Sequence, residues 1–243
     1  MTELLRVDGM SKRFGGVRAV DDCALAVASG TVTGLIGPNG SGKTTLFNIV
    51  TGYLRPDAGT VHFAGRDVTG WDAGRLYRHG LSRTFQQARV FPQLSVLENL
   101  VVAGGYSWLQ TFTRRVGRAD RARADALLEE FTLGPVADLP AADLSYGQRK
   151  LLEFAAVLMS EPRMVMLDEP TAGVNPVLIR TMERHIRDRQ ARGTTFLVVE
   201  HDMGFVMRLA DPVVVLDAGR PIFVGPPARA QADAAVLDAY LGA

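Results

Sequence analysis

Residues Gly37 to Thr44 read "GPNGSGKT", a glycine-rich turn that ends in a lysine and a hydroxyl. This G-x-x-x-x-G-K-[ST] spacing, set between an apolar segment and a helix-like one, suits a phosphate group. Glycines let backbone N–H groups close around phosphate oxygens that side chains would otherwise obstruct. Gly37, Pro38, Asn39, Gly40, Ser41, Gly42, Lys43, Thr44 and Thr45 are therefore candidate nucleotide-binding residues. Lys43 would bring a compact positive charge to the β- and γ-phosphates, and the Thr44 hydroxyl could ligate Mg²⁺. Only Lys12, Lys43 and Lys150 among the 27 basic residues are lysines, so a lysine inside this motif stands out against an arginine background.

Two further stretches carry chemistry. "RMVMLDEP" runs into Asp168 and Glu169 at the C-terminal end of an apolar strand, where ligands bind in parallel sheets. Asp168 would hold Mg²⁺ directly or through water, and Glu169 is placed to polarise an attacking water as general base. "LSYGQRKLLEF", from Leu144, reads as a helix start: Ser145 can cap it, and Leu151, Leu152, Ala155, Ala156, Leu158 and Met159 follow helical spacing. Free N–H groups and the helix dipole make such a start an anion site. The chain thus holds a second phosphate-reading element about a hundred residues after the first.

The elements that must position these residues alternate in type. "LLRVDG" and "CALAVASG" read as short β segments, and "TVTGLIG" as a buried strand feeding the glycine-rich turn and a helix that stops at Gly52. "RPDAGTVHFAG" and "GLSRTFQQ" are further strands, and "SVLENLVVAG" is a helix opened by Ser95. Residues from about Gly104 to Asp143 are more helical and more charged, with "RADRARADALLEEF" amphipathic. "RMVMLDEP" and "TTFLVVEHD" are apolar strands of the kind covered on both faces, and "PVVVLDAGRPIFVG" is a strand pair about "DAGR". Strands alternating with helices imply an α/β fold with a largely parallel sheet.

Composition sets outer bounds. With 243 residues, 47% of them hydrophobic, the chain can bury the core of one large domain, with or without a subdomain. A formal charge of +1 gives no general case for nucleic acid or an acidic membrane. No apolar run approaches the roughly 20 residues that span a bilayer. "MTELLRVDGMSKRF" lacks a signal-peptide core, and Cys23 is the lone cysteine, so a reducing, cytoplasmic setting is expected. The dense run "RRVGRADRAR" has no interleaved aromatics and reads as a solvated helical face.

With "GPNGSGKT", "LSYGQ" and "LDEP" in that order, the chain resembles the ATP-binding subunits of ABC transporters over nearly its whole length. The resemblance implies a P-loop NTPase core with an N-terminal antiparallel β part. It also implies one domain over residues 1–243 with a helical subdomain inserted at approximately 88–160. "LSYGQ" varies the family's L-S-G-G-Q signature, Tyr146 replacing its first glycine. In the family two subunits lie head to tail, so Leu144, Ser145, Tyr146, Gly147 and Gln148 would contact ATP held by a partner subunit. Phe14 matches the aromatic that stacks on adenine. Gln86 matches the glutamine that reaches Mg²⁺ and the water, with Gln87 as the alternative register. His201, in "VVEHD", matches the histidine that contacts the γ-phosphate. Ala172, Gly173, Val174 and Asn175 correspond to a dimer-contact loop, where Asn175 replaces the usual aspartate and can cap the helix begun by Pro176.

"RTFQQARVFPQLSVLENLVVAG", "LSYGQRKLLEFAAVLMSEP" and "LDEPTAGVNP" are most similar to branched-chain amino-acid importer ATPases; urea-importer and lipopolysaccharide-exporter ATPases are near relatives. The resemblance implies ATP and Mg²⁺ as ligands, and transmembrane permease subunits and a second ATPase subunit (self or paralogue) as partners. A solute-binding protein would join indirectly through the permease, and the location would be peripheral on the inner membrane face. Two other readings stand beside it: a nucleotide switch with negligible turnover, against which Glu169 and His201 argue, and a DNA-maintenance ATPase of the same superfamily. The latter needs a long coiled coil before the signature, where only about sixty residues lie.

Overall fold

The N-terminal strands run longer than the sequence suggests. In the computed structural model, which describes residues 2–84, 90–104 and 117–241, β1 (Glu3–Phe14) and β2 (Val17–Ala28) pair antiparallel around Gly15 and Gly16. Ser11, Lys12 and Arg13 lie beyond the segment "LLRVDG" that reads as strand, yet cross-strand pairing carries them: Lys12 faces Val20 and Arg13 faces Arg18 on β2, and Ser11 faces Ala58. β4 (Ala58–Phe63) and β5 (Arg66–Asp67) complete a sheet of order β2-β1-β4-β5.

The second sheet contains β3 (Val32–Ile36), β6 (Leu81–Arg83), β7 (Met164–Asp168), β8 (Thr195–Val199), β9 (Val213–Asp217) and β10 (Arg220–Gly225). Its order is β10-β9-β3-β8-β7-β6, parallel except for the β9–β10 hairpin that the "DAGR" turn announces. Every residue of β3, β7 and β8 is buried, as expected for central strands covered on both faces.

Helices in the described residues are α1 (Lys43–Val50), α2 (Ala73–Arg78), α3 (Val96–Ala103), α4 (Arg118–Glu130), α5 (Tyr146–Leu158), α6 (Pro176–Ala191), α7 (Met203–Leu209), α8 (Pro227–Ala230) and α9 (Ala234–Leu241). Sequence spacing does not announce α2: it is short, buries only Leu76, and depends on an Asp72 cap that accepts from the Arg75 N–H at 2.8 Å. None of these helices is long and apolar enough to cross a membrane.

The central sheet separates two apolar cores. Val165, Leu167, Phe196 and Val198 face one core with Leu100, Leu127, Phe131, Phe154 and Ile186 from α3 to α6. Met164, Met166, Leu197 and Val199 face the other, with Phe47 of α1 and Leu5, Val7 and Val61 of the antiparallel sheet. Successive strand side chains point to opposite faces, so β7 and β8 key into both cores residue by residue. Residues of α3, α4 and α5 share their apolar cluster with the sheet.

Candidate active site

The C-terminal ends of β3, β7 and β8 lie side by side: Leu35 pairs with Val199, and Asp168 with Val199 from the other side. Each end turns into a loop that carries sequence-predicted residues. After β3 comes the phosphate loop, after β7 the Glu169 turn, and after β8 His201. One cavity of about 320 Å³ is lined jointly by Asn39, Gly40, Lys43, Thr44, Glu169 and His201.

Within the loop Lys43 is buried, and its Nζ donates to the carbonyls of Gly37 at 2.9 Å and Pro38 at 2.8 Å and to Ser41 Oγ at 3.3 Å. Burial pushes the Lys43 pKa down, and the nearby Glu169 carboxylate opposes that shift. Gly42 caps α1 at φ 99°, a left-handed conformation that resists side chains, and a Cβ there would stand 2.2 Å from the Ala19 carbonyl oxygen. The loop can therefore approach β2 only with glycine at this position.

Glu169 adopts φ 47°, uncommon for a residue with a side chain. Its N–H donates to the Val199 carbonyl at 2.9 Å, and its own carbonyl accepts from the Ala172 N–H at 3.1 Å, which together hold the turn. His201 Nε2 lies 2.5 Å from Glu169 Oε1. An ionised carboxylate can only accept, so in that form of the pair Nε2 carries the proton.

Asp168 is buried beside Arg83, 3.4 Å away, and its N–H donates to Thr84 Oγ1 at 3.2 Å. Burial pushes its carboxyl pKa up, Arg83 pulls it down, and the neighbouring Glu169 and Glu200 charges push it up again. Arg83 also donates to Asn48 Oδ1 at 2.9 Å and Thr51 Oγ1 at 2.8 Å, and lies over the rings of Phe47 and Tyr53. Thr44 and Asp168 are hard oxygen donors that suit Mg²⁺. No three His, Cys, Asp or Glu side chains of the described residues cluster as a metal cage.

The signature residues stand apart from this cavity's lining. Ser145 caps α5 in a reciprocal capping box: its Oγ accepts from the Gln148 N–H at 3.3 Å, while Gln148 Oε1 accepts from the Ser145 N–H at 2.9 Å. Leu144 is buried, Ser145 and Tyr146 are exposed, and a Cβ on Gly147 would press on Leu178 at 3.1 Å. The Tyr146 hydroxyl donates to the Ala172 carbonyl at 2.9 Å. Gly173 follows at φ 71°, with Val174 half-buried beyond it, and Asn175 Oδ1 accepts from the Leu178 N–H at 2.9 Å to cap α6. Phe14, at the end of β1, is half exposed beneath Lys12 and outside the cavity lining. Gln86 and Gln87 lie outside the described residues.

Sequence reasoning missed two residues. Arg83 was one arginine among many, and Glu200 lay unremarked between an apolar strand and His201. Glu200 Oε1 accepts from both the N–H and the hydroxyl of Thr171, each at 2.7 Å. Its Oε2 accepts from the N–H groups of His201 at 2.9 Å and Asp202 at 3.3 Å.

Known proteins share both sequence and architecture with the chain. Residues 20–172 match the family described as ABC transporter. The high-affinity branched-chain amino acid transport ATP-binding proteins BraF of Pseudomonas aeruginosa and LivG of Escherichia coli are each 38% identical, with 98% of both chains covered. A crystal structure of a nucleotide-free ATP-binding cassette from an ABC transporter superposes with TM-score 0.88 at 36% identity over 100% of both chains. The ADP conformation of another such cassette gives 0.89 at 35% identity, again over 100% of both. Sequence identity and architecture thus agree over the length of the chain, which belongs to the ABC transporter family as an ATP-binding cassette.

Proposed function

We propose that this chain is the ATP-hydrolysing subunit of an ABC importer that energises uptake of branched-chain amino acids or a related small solute. The observation that carries the hydrolytic part is the cavity shared by Lys43, Thr44, Glu169 and His201, with the last two 2.5 Å apart. The solute rests on the names of BraF and LivG, which match this chain from end to end.

In this reading the phosphate loop, Gly37 to Thr45, binds the triphosphate through backbone N–H groups and Lys43, and Phe14 stacks on the adenine. Glu169 accepts a proton from water as the water oxygen bonds to the γ-phosphorus and the bridging bond to ADP breaks. His201 shifts its Nε2–H from Glu169 toward the γ-phosphate, which leaves the carboxylate to the water. Thr44, Asp168 and Gln86 would hold Mg²⁺, which when bound offsets charge on the β- and γ-phosphate oxygens. The start of α5, Leu144 to Gln148, where Ser145 and Tyr146 are exposed, would meet the γ-phosphate held by a second copy or a paralogue. Ala172 to Asn175 would line the contact between the two.

The membrane partner docks in a groove of about 340 Å³ between the core and α5, lined by Thr51, Tyr53, Tyr77, Arg83, Glu153 and Val157. Arg83 would join that groove to Asp168. The chain would then sit on the cytoplasmic face of the membrane through its permease, and a solute-binding protein would act on it only indirectly.

Glu169→Gln is the test. It should retain ATP binding, lower phosphate release by about a hundredfold or more, and accumulate an ATP-bound dimer in gel filtration. Turnover at the parental rate would remove Glu169 from the role of base. Radiolabelled leucine uptake by vesicles holding the chain and its permease tests the solute.

A further inference from the structure

We infer that Glu200 is a positioning residue that holds the two halves of the hydrolytic pair in register. The inference rests on the reading of Glu169 and His201 given above. Glu200 is 2% exposed, and a buried carboxylate is stable only when its lone pairs are met. Four donors meet them: the Thr171 N–H and hydroxyl on Oε1, and the His201 and Asp202 N–H groups on Oε2. One oxygen therefore takes the turn that follows β7, two residues beyond Glu169, and the other takes the turn that carries His201.

An apolar residue would continue the run of Val198 and Val199 and fill the same place in the core. The carboxylate is used because four N–H and O–H groups from two separate loops converge there. The 2.5 Å approach of His201 Nε2 to Glu169 Oε1 spans the same two loops. Small errors in such an approach are amplified in rate, since displacements of about an ångström can cost on the order of a hundredfold.

Glu200→Gln offers one acceptor oxygen and sets an amide N–H₂ against the donors of the other turn. In the full-length chain with Mg²⁺-ATP we expect kcat to fall between about tenfold and a hundredfold, while KM for ATP and affinity for a fluorescent ATP analogue stay within about threefold. Thr171→Val, which loses only the hydroxyl, should lower kcat several-fold, and Thr171→Ser should restore it; this pair decides the matter if Glu200→Gln does not fold. In the Glu169→Gln background Glu200→Gln should add no further loss to single-turnover hydrolysis. Parental kcat in Glu200→Gln, or a parallel loss of nucleotide affinity, overturns the assignment. If Glu169→Gln itself hydrolyses normally, the base assignment fails instead, and the two failures are told apart by that control.

Discussion

Tyr146, on the first turn of α5, donates its hydroxyl to the carbonyl of Ala172 at 2.9 Å, three residues beyond Glu169. The proposed signature and the proposed dimer-contact loop, Ala172 to Asn175, are thereby in contact. The Ala172 N–H in turn donates to the Glu169 carbonyl, so two hydrogen bonds through Ala172 link the start of α5 to the backbone of the proposed base.

Tyr146→Phe keeps the ring and removes the tether. Steady-state phosphate release should fall by about two- to tenfold, the worth of one ordinary hydrogen bond, with ATP affinity unchanged. An unaltered rate would show that the loop needs no hold from α5.

Asn175 caps α6, its side-chain oxygen accepting from the Leu178 N–H. Asn175→Ala should lower unfolding free energy by about 1 kcal/mol in urea titration, whereas Asn175→Asp should retain the cap and most of the stability. Equal losses in both variants would place the role of Asn175 elsewhere.

His185, on α6, stacks on Phe131 with ring centroids 4.1 Å apart, and its Nδ1 has no hydrogen-bond partner among the described residues. Burial lowers its pKa below the ordinary value of 6.5, so the unfolded chain takes up the proton more readily. The stability tied to the neutral ring is present above that unfolded value and is lost as pH falls toward the folded one. His185→Phe should therefore show a smaller fall in Tm between about pH 7.5 and pH 5.5 than the parent does. An identical fall would mean that other groups govern acid sensitivity.

Cys23 is buried in β2, and burial, with help from Asp22, pushes its thiol up to about 11. At about pH 8 only roughly a thousandth is thiolate, so iodoacetamide should leave the folded chain unlabelled and modify it fully in denaturant. Intact-mass measurement reads the difference; rapid labelling of the native chain would contradict the burial.

The site's elements differ in how much of themselves they show in sequence. The phosphate loop is local, because its glycines and Lys43 act within eight residues. Helix starts are equally local, and the caps at Ser145 and Asn175 could be anticipated. Glu200 and Arg83 could not, because what makes them matter lies 29 residues away at Thr171 and 85 away at Asp168. A carboxylate at the end of an apolar strand looks the same whether it faces water or four donors. The full length of the β1–β2 ribbon is hidden for a related reason: Lys12 and Arg13 are held by their neighbours across the hairpin, and Ser11 by Ala58 of β4, rather than by any pattern of their own.

Alternate residues of β7 and β8 are keyed into different cores, so these two strands join the helical side of the molecule to the antiparallel side. A tilt imposed on the helical side would therefore be felt along β7 and β8, with the antiparallel side as the opposing abutment. Asp168 ends β7 and Glu200 follows β8 directly, so both carboxylates stand where such a displacement would be read.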